Sequence, residues 1–161
     1  MYTAAVITTS DSSYQGKRDD LSGPLLRQLA EKSGFHISYT SIVPDDMDKI
    51  SEEIIKCSDD RKINLILTTG GTGLGPRDVT PEATKKVIDR EAPGIAELIR
   101  YETSKYTKKA YLSRGISGVR KRTLILNLSG SPKAVKECYE AVEPILDHAL
   151  KIINEEITQH E

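Results

Sequence analysis

Residues 63–81 read INLILTTGGTGLGPRDVTP, and this stretch decides the fold. Its first seven residues are short, apolar and rich in β-branched side chains. That pattern predicts a strand buried on both faces. Four glycines, Gly70, Gly71, Gly73 and Gly75, then open a loop that runs to Asp78. Thr80 reads as a helix cap, with Pro81 in the first helical position. Strand, glycine loop and helix start together make a βα unit.

Working outward, the same alternation repeats. Residues 3–9 (TAAVITT) and 122–128 (RTLILNL) read as buried strands. Residues 35–43 (FHISYTSIV) alternate and suggest a strand covered less completely. Residues 22–33 predict a helix, with Ser22 as N-cap, Pro24 in the first turn and Gly34 past the end. Residues 46–58 predict another, from Met47, Ile50, Ile54 and Cys57 at helical spacing. A further helix is expected from Pro93 to Tyr106, and residues 107–121 carry no clear period. A long helical stretch follows residues 129–132, where Pro144 should kink or divide it. No repeat, linker or low-complexity tract interrupts the chain, so residues 1–161 read as a single domain. Strands separated by helices imply right-handed crossovers. The expected fold is therefore α/β: a three-layer α/β/α arrangement around a mostly parallel sheet.

Composition removes several functions. Leu, Ile, Val and Phe make up about a quarter of the 161 residues, enough for a folded core. No apolar run approaches the roughly 18 residues of a membrane span. A secretory leader is not expected, since the first basic residue is Lys17 and no apolar stretch precedes a small-residue cleavage site. Two cysteines cannot make a disulfide framework or a four-thiolate zinc site. A cytosolic protein with reduced thiols, away from the membrane, is the simplest reading. With no Trp, one Phe and a net charge of −1, a nucleic-acid partner is not expected.

In open parallel sheets ligands bind beyond the carboxyl ends of strands. Each loop at those ends carries unusual residues. The first holds Ser10, Asp11, Ser12 and Ser13; the second holds Asp45 and Asp46. The third is the glycine loop with Arg77 and Asp78. The fourth holds Asn127, Ser129, Gly130, Ser131 and Lys133. Glycines let backbone N–H groups turn toward an anion, but they also serve ordinary tight turns. The loop is neither a Walker A motif nor the dinucleotide fingerprint, because its spacing and following residues differ. Asp78 can cap a helix N-terminus or bind Mg²⁺, a hard ion that shares carboxylates with substrate phosphates. Asp45 and Asp11 carry the same two readings. Three such acids at one rim, beside glycines, favour a metal–phosphate site.

Charge is uneven along the chain. Residues 100–122 carry +7 and the remainder −8. That segment reads as a solvated or oligomer-contact face, or as a funnel for an anionic ligand. Arg114 is its best candidate for bidentate phosphate contact. His36, His148 and His160 are too scattered for a metal cluster. Cys57 and Cys138 fall at apolar helix positions and read as inert core thiols. No GxSxG elbow is present, so covalent catalysis is not expected.

The run TTGGTGLGPRDVTPEAT, Thr68 to Thr84, closely resembles the signature of the molybdopterin adenylyltransferases, which are related to the gephyrin G domain. Ser10-Asp11, the Ser22–Pro24 SGP, Pro44-Asp45, Leu112-Ser113-Arg114 and NLSGSPKAVKE from Asn127 resemble it in the same order. Ser129 stands where that family commonly has Pro, which frees the backbone and supplies an N–H. The resemblance implies the molybdenum-cofactor biosynthesis fold. It also implies transfer of AMP from ATP to molybdopterin with Mg²⁺. It places Asp45 and Asp78 as catalytic and metal-binding residues. Ser10, Asp11, Gly70, Gly71, Thr72, Gly73, Ser113, Arg114, Gly130, Ser131 and Lys133 become ligand contacts. A homotrimer and a molybdenum-inserting partner are implied as well. A non-catalytic molybdopterin carrier is the alternative reading.

Overall fold

A computed structural model describes residues 1–157. The strands are β1 (Thr3–Thr9), β2 (His36–Val43), β3 (Leu65–Thr69), β4 (Arg90–Glu91), β5 (Ser117–Arg120) and β6 (Thr123–Leu128). The α-helices are α1 (Asp11–Tyr14), α2 (Ser22–Lys32), α3 (Met47–Ile55), α4 (Thr80–Lys85), α5 (Pro93–Thr103) and α6 (Pro132–Ile153). One six-stranded sheet runs in the order β2-β1-β3-β6-β5-β4. β2, β1, β3 and β6 are mutually parallel, whereas β5 and β4 extend the sheet antiparallel.

The strand period of two sorts the core into two layers. Ala4, Val6, Leu65, Leu67, Leu124, Leu126 and Leu128 face α2, α5 and α6. Ala5, Ile7, Ile66 and Ile125 face α3 and α4, meeting Ile50, Ile54, Ala83 and Val87. Both faces are covered, which is why β1, β3 and β6 read as continuous apolar runs. β2 lies at the sheet edge, and its residues alternate between exposed and half-buried.

Several local expectations change. Thr80 is the first helical residue of α4 rather than its cap; Val79 precedes it without a side-chain cap. Ser22 likewise begins α2, and the Asp20 carboxylate instead accepts the Gly23 N–H at 3.0 Å. The helix expected over residues 46–58 is α3 followed by a π-helical turn, Lys56–Asp60, which still buries Cys57. Within residues 107–121 lie a 3-10 helix, Lys108–Leu112, and strand β5.

Pro144 does not divide α6. It lies on the exposed side between Glu143 and Ile145. The core stripe Val135, Cys138, Val142, Leu146 and Leu150 continues past it, and that packing outweighs one missing backbone hydrogen bond. His36 is exposed on β2 and His148 is half-buried in α6. His160 lies outside the described residues. Cys57 and Cys138 are both free and buried. Among the described residues, no helix is long and apolar enough to cross a membrane.

Candidate active site

From β1 the chain crosses to β2 on one side, then returns to β3 on the other. The crevice between the ends of β1 and β3 is therefore the topological switch point, the position where open parallel sheets bind ligands. Gly70 and Gly71 pack tightly there. Gly70 has φ +104°, and a Cβ on it would overlap the Thr9 carbonyl. Its N–H donates to the Leu128 carbonyl at 3.1 Å. Gly71 has φ +67°, and a Cβ there would strike Thr80 Oγ1. Only glycine satisfies both the left-handed backbone and the close approach. Beneath it, the buried hydroxyls of Thr9 and Thr80 hydrogen-bond at 3.0 Å.

The glycine loop and residues 129–132 together separate two chambers. The first, about 320 Å³, is lined by Ser10, Asp45, Gly70, Gly71, Asp78 and Gly130, with Arg18 and Asp20. The second, about 410 Å³, is lined by Thr72, Gly73, Ser113, Ser129 and Lys133, with Ile99 and Leu112. Ser131 faces both. Its hydroxyl caps α6 by accepting the Ala134 N–H at 3.2 Å.

The acids of the first chamber are held differently. Asp45 and Asp11 clasp each other: Asp11 N–H donates to Asp45 Oδ2, and Asp45 N–H donates to Asp11 Oδ1, both at 3.0 Å. Arg77 then grips Asp11, Nε to Oδ2 at 3.0 Å and Nη2 to Oδ1 at 3.1 Å. The Arg77 hydrogen bonds hold the Asp11 carboxyl below the usual carboxylate range, helped by Asp45 N–H. Asp45 moves the other way. Burial raises its pKa, and the charges of Asp11 and Asp78 add to the rise. Its second oxygen, Oδ1, is buried and has no hydrogen-bond partner. Asp78 Oδ2 accepts the Gly75 N–H at 3.0 Å.

An orphaned carboxylate oxygen with a neighbouring carboxylate suits a hard cation. Among the described residues, no group of three or more His, Cys, Asp or Glu is gathered for a metal. A Mg²⁺ ion here would be held by Asp45 and Asp78, completed by phosphate oxygens and water.

Arg114 is placed otherwise than the sequence suggests. Its guanidinium donates to the carbonyls of Gly73 at 2.8 Å and Asp78 at 2.7 Å, and pairs with Glu82 at 2.6 Å. Four of its five N–H donors go to these groups, bracing the glycine loop against Glu82 of α4. Asp11 is likewise occupied by protein groups. The basic segment does not converge either. Arg100 and Lys109 line the second chamber. Arg120 and Lys121 pair with Asp59, and Arg122 with Glu155, near the start of β6, away from the strand ends that carry the site.

Sequence reasoning passed over several residues. Asp20 accepts the Thr8 hydroxyl at 2.7 Å and lines the first chamber; its place just before the SGP run was the available signal. Arg100 donates to the Gly115 carbonyl at 2.7 Å and shapes the second chamber from α5. Asn127, by contrast, stands out in the sequence at the end of its strand; buried, it ties β6 to Thr68 and Thr84 at 3.1 and 3.0 Å, and its side-chain carbonyl accepts the Ile116 N–H.

Comparison with known proteins places the chain in a family. The family described as "Probable molybdopterin binding domain" matches residues 5–148. A molybdopterin adenylyltransferase of Helicobacter pylori strain J99 is 41% identical over 153 residues, covering 92% of this chain and 85% of that protein. The molybdenum cofactor synthesis protein cinnamon of Drosophila melanogaster is 45% identical over 157 residues, 97% of this chain; the chain spans only 26% of that protein. Among solved structures, the molybdopterin biosynthesis enzyme MoaB of Thermus thermophilus superposes with a TM-score of 0.92 at 44% identity, covering 96% of this chain and 98% of that one. The sequence signature, the switch-point site and these matches agree: the chain belongs to the molybdopterin-binding domain family of molybdenum-cofactor biosynthesis.

Proposed function

We propose that this chain is a molybdopterin adenylyltransferase, converting ATP and molybdopterin to adenylyl-molybdopterin and pyrophosphate. The observation that carries this reading is the pair of chambers meeting at Ser131, one walled by carboxylates and one by lysine, hydroxyl and apolar groups. Two ligands bound there would meet end to end.

The chemistry needs no protein nucleophile. An oxygen of the pterin's terminal phosphate forms the new bond to the α-phosphorus of ATP. The bond from that phosphorus to the bridging oxygen breaks, and pyrophosphate leaves with the electron pair. The attacking group is already an anion near neutral pH, so alignment and charge neutralisation remain for the protein. Mg²⁺, when bound, supplies Lewis-acid neutralisation of the phosphates. Asp45 Oδ1 and Asp78 face that charge from the first chamber. Backbone of Gly70, Gly71 and Gly130, with Ser10, orients phosphates. Thr72, Gly73, Ser113 and Lys133 orient the ligand of the second chamber, while Arg114 keeps the loop in shape.

A cytosolic location fits the two reduced, buried thiols. A homotrimer fits the exposed Tyr101, Tyr106, Tyr111 and Leu112, an apolar surface near the second chamber. A molybdenum-inserting protein is the proposed recipient of the product. The test is direct: ATP, Mg²⁺ and molybdopterin are incubated with the protein and adenylyl-molybdopterin is measured. Product above background is expected. Tight molybdopterin binding without product would make the chain a carrier instead.

A further inference from the structure

We propose that Arg77 and Asp11 are a positioning pair: they touch no substrate, and they fix the direction in which Asp45 presents its free oxygen. This rests on the reading of Asp45 as the working carboxylate of the first chamber.

The geometry is a chain of three residues from three loops. Arg77 lies at the end of the glycine loop, Asp11 after β1, and Asp45 after β2. The guanidinium makes two hydrogen bonds to both Asp11 oxygens, at 3.0 and 3.1 Å. A bidentate contact fixes the plane of a carboxylate as well as its position. The fixed Asp11 Oδ1 receives Asp45 N–H, and Asp11 N–H holds Asp45 Oδ2. With one oxygen and its backbone pinned, Asp45 directs Oδ1 inward. That atom is buried, unpartnered and 3.3 Å from where a Cβ on Gly71 would stand.

Stability does not explain the pair. The Arg77 side chain is 67% exposed and that of Asp11 32%, and ion pairs this open contribute little to folding. What it adds is a tie between chain segments 66 residues apart, across the switch-point crevice. Neither side chain has a polar group left facing the chamber, since the Asp11 oxygens are taken and Arg77 is absent from the chamber lining.

The experiment compares Arg77→Gln, Asp11→Ala and Arg77→Lys with the parent protein, alone and in an Asp45→Asn background. Thermal melts check folding. In the Asp45-containing protein, Arg77→Gln and Asp11→Ala should lower kcat about 10–100-fold, as loss of a supporting hydrogen bond behind a functional ligand does. With Mg²⁺ in large excess, so that the weakened site stays filled, KM for ATP and for molybdopterin should change less than about twofold, because neither residue contacts a substrate. Arg77→Lys should restore part of kcat. In the Asp45→Asn background neither change should lower the rate further, because the residues act through Asp45. A second readout needs no turnover. Mn²⁺ affinity, measured by electron paramagnetic resonance with a non-hydrolysable ATP analogue present, should fall about 10-fold in both variants.

A raised KM for ATP in Arg77→Gln with Mg²⁺ in large excess, or a full further loss in the Asp45→Asn background, would overturn the proposal and make Arg77 a direct phosphate contact. Unchanged kcat and Mn²⁺ affinity would overturn it too. If the parent protein makes no product, the adenylyltransferase reading fails, and the Mn²⁺ titration still decides the positioning role.

Discussion

The two chambers share a wall and carry opposite charge. The first is lined by Asp19, Asp20, Asp45 and Asp78, against Arg18. The second is lined by Arg100, Lys109 and Lys133, against Glu137. A polyphosphate entering the first meets carboxylates and needs a cation between. An anion entering the second meets cations directly. The contrast teaches how a chain of net charge −1 would accommodate the two anionic substrates proposed for it: the charge is separated by position, and the total conceals it.

The sharpest way to break this comparison is to neutralise one wall. Asp78→Asn and Asp45→Asn should each lower turnover at least about 100-fold, the usual cost of removing a charge-stabilising or metal-holding group. Steady-state assays check this, and an unchanged rate would remove the assigned role. Metal removal comes next. Chelation should weaken ATP binding about 10-fold or more if ATP phosphates occupy the acidic chamber, since Mg²⁺ bridges carboxylates and phosphates. Calorimetric titration of each substrate with and without chelator reads this; equal losses for both would erase the distinction between chambers.

Lys133→Met tests the basic wall. One charge-assisted contact is worth a smaller change, about a 10-fold weaker Kd for the ligand of the second chamber. The ligand of the first should be unaffected. The smallest effect lies outside both chambers. Hydrogen bonds from Arg120 depress Asp59 to about 2, from an ordinary value of 3.8. A depressed carboxylate stabilises the fold above its unfolded pKa, and that contribution is lost as pH falls through about 2. Urea melts of Asp59→Asn should lack this component of acid sensitivity below about pH 4. Turnover at neutral pH should be unaffected.

Much of this was legible in residue order. β1, β3 and β6 announced themselves because both faces are buried, so their runs are apolar without interruption. The edge strand β2 showed its half-coverage as alternation. β5 did not show itself. Ser117-Gly118-Val119-Arg120 has one large apolar side chain, and it is a strand because the two-residue turn at Lys121-Arg122 folds it against β6. Gly118 fits there because Ile88 and the Arg90 carbonyl of β4 crowd the place of a Cβ. α6 survived Pro144 because its apolar stripe packs on the sheet on both sides of that residue.

Sequence by itself determined which segments are strands buried on two faces, where the glycine loop lies, and which family signature it carries. These are local properties: side-chain period, turn chemistry and residue order. Tertiary structure alone decided which charged groups are free. In the sequence Arg114 reads as the best phosphate contact, and Arg77 is only a member of the glycine loop. The fold spends Arg114 on the carbonyls of the distant glycine loop and Arg77 on Asp11, and it leaves Asp45 Oδ1 without a partner. Those choices join residues 36 to 66 positions apart. No periodicity encodes them, because an ion pair is set by where packed elements bring side chains together.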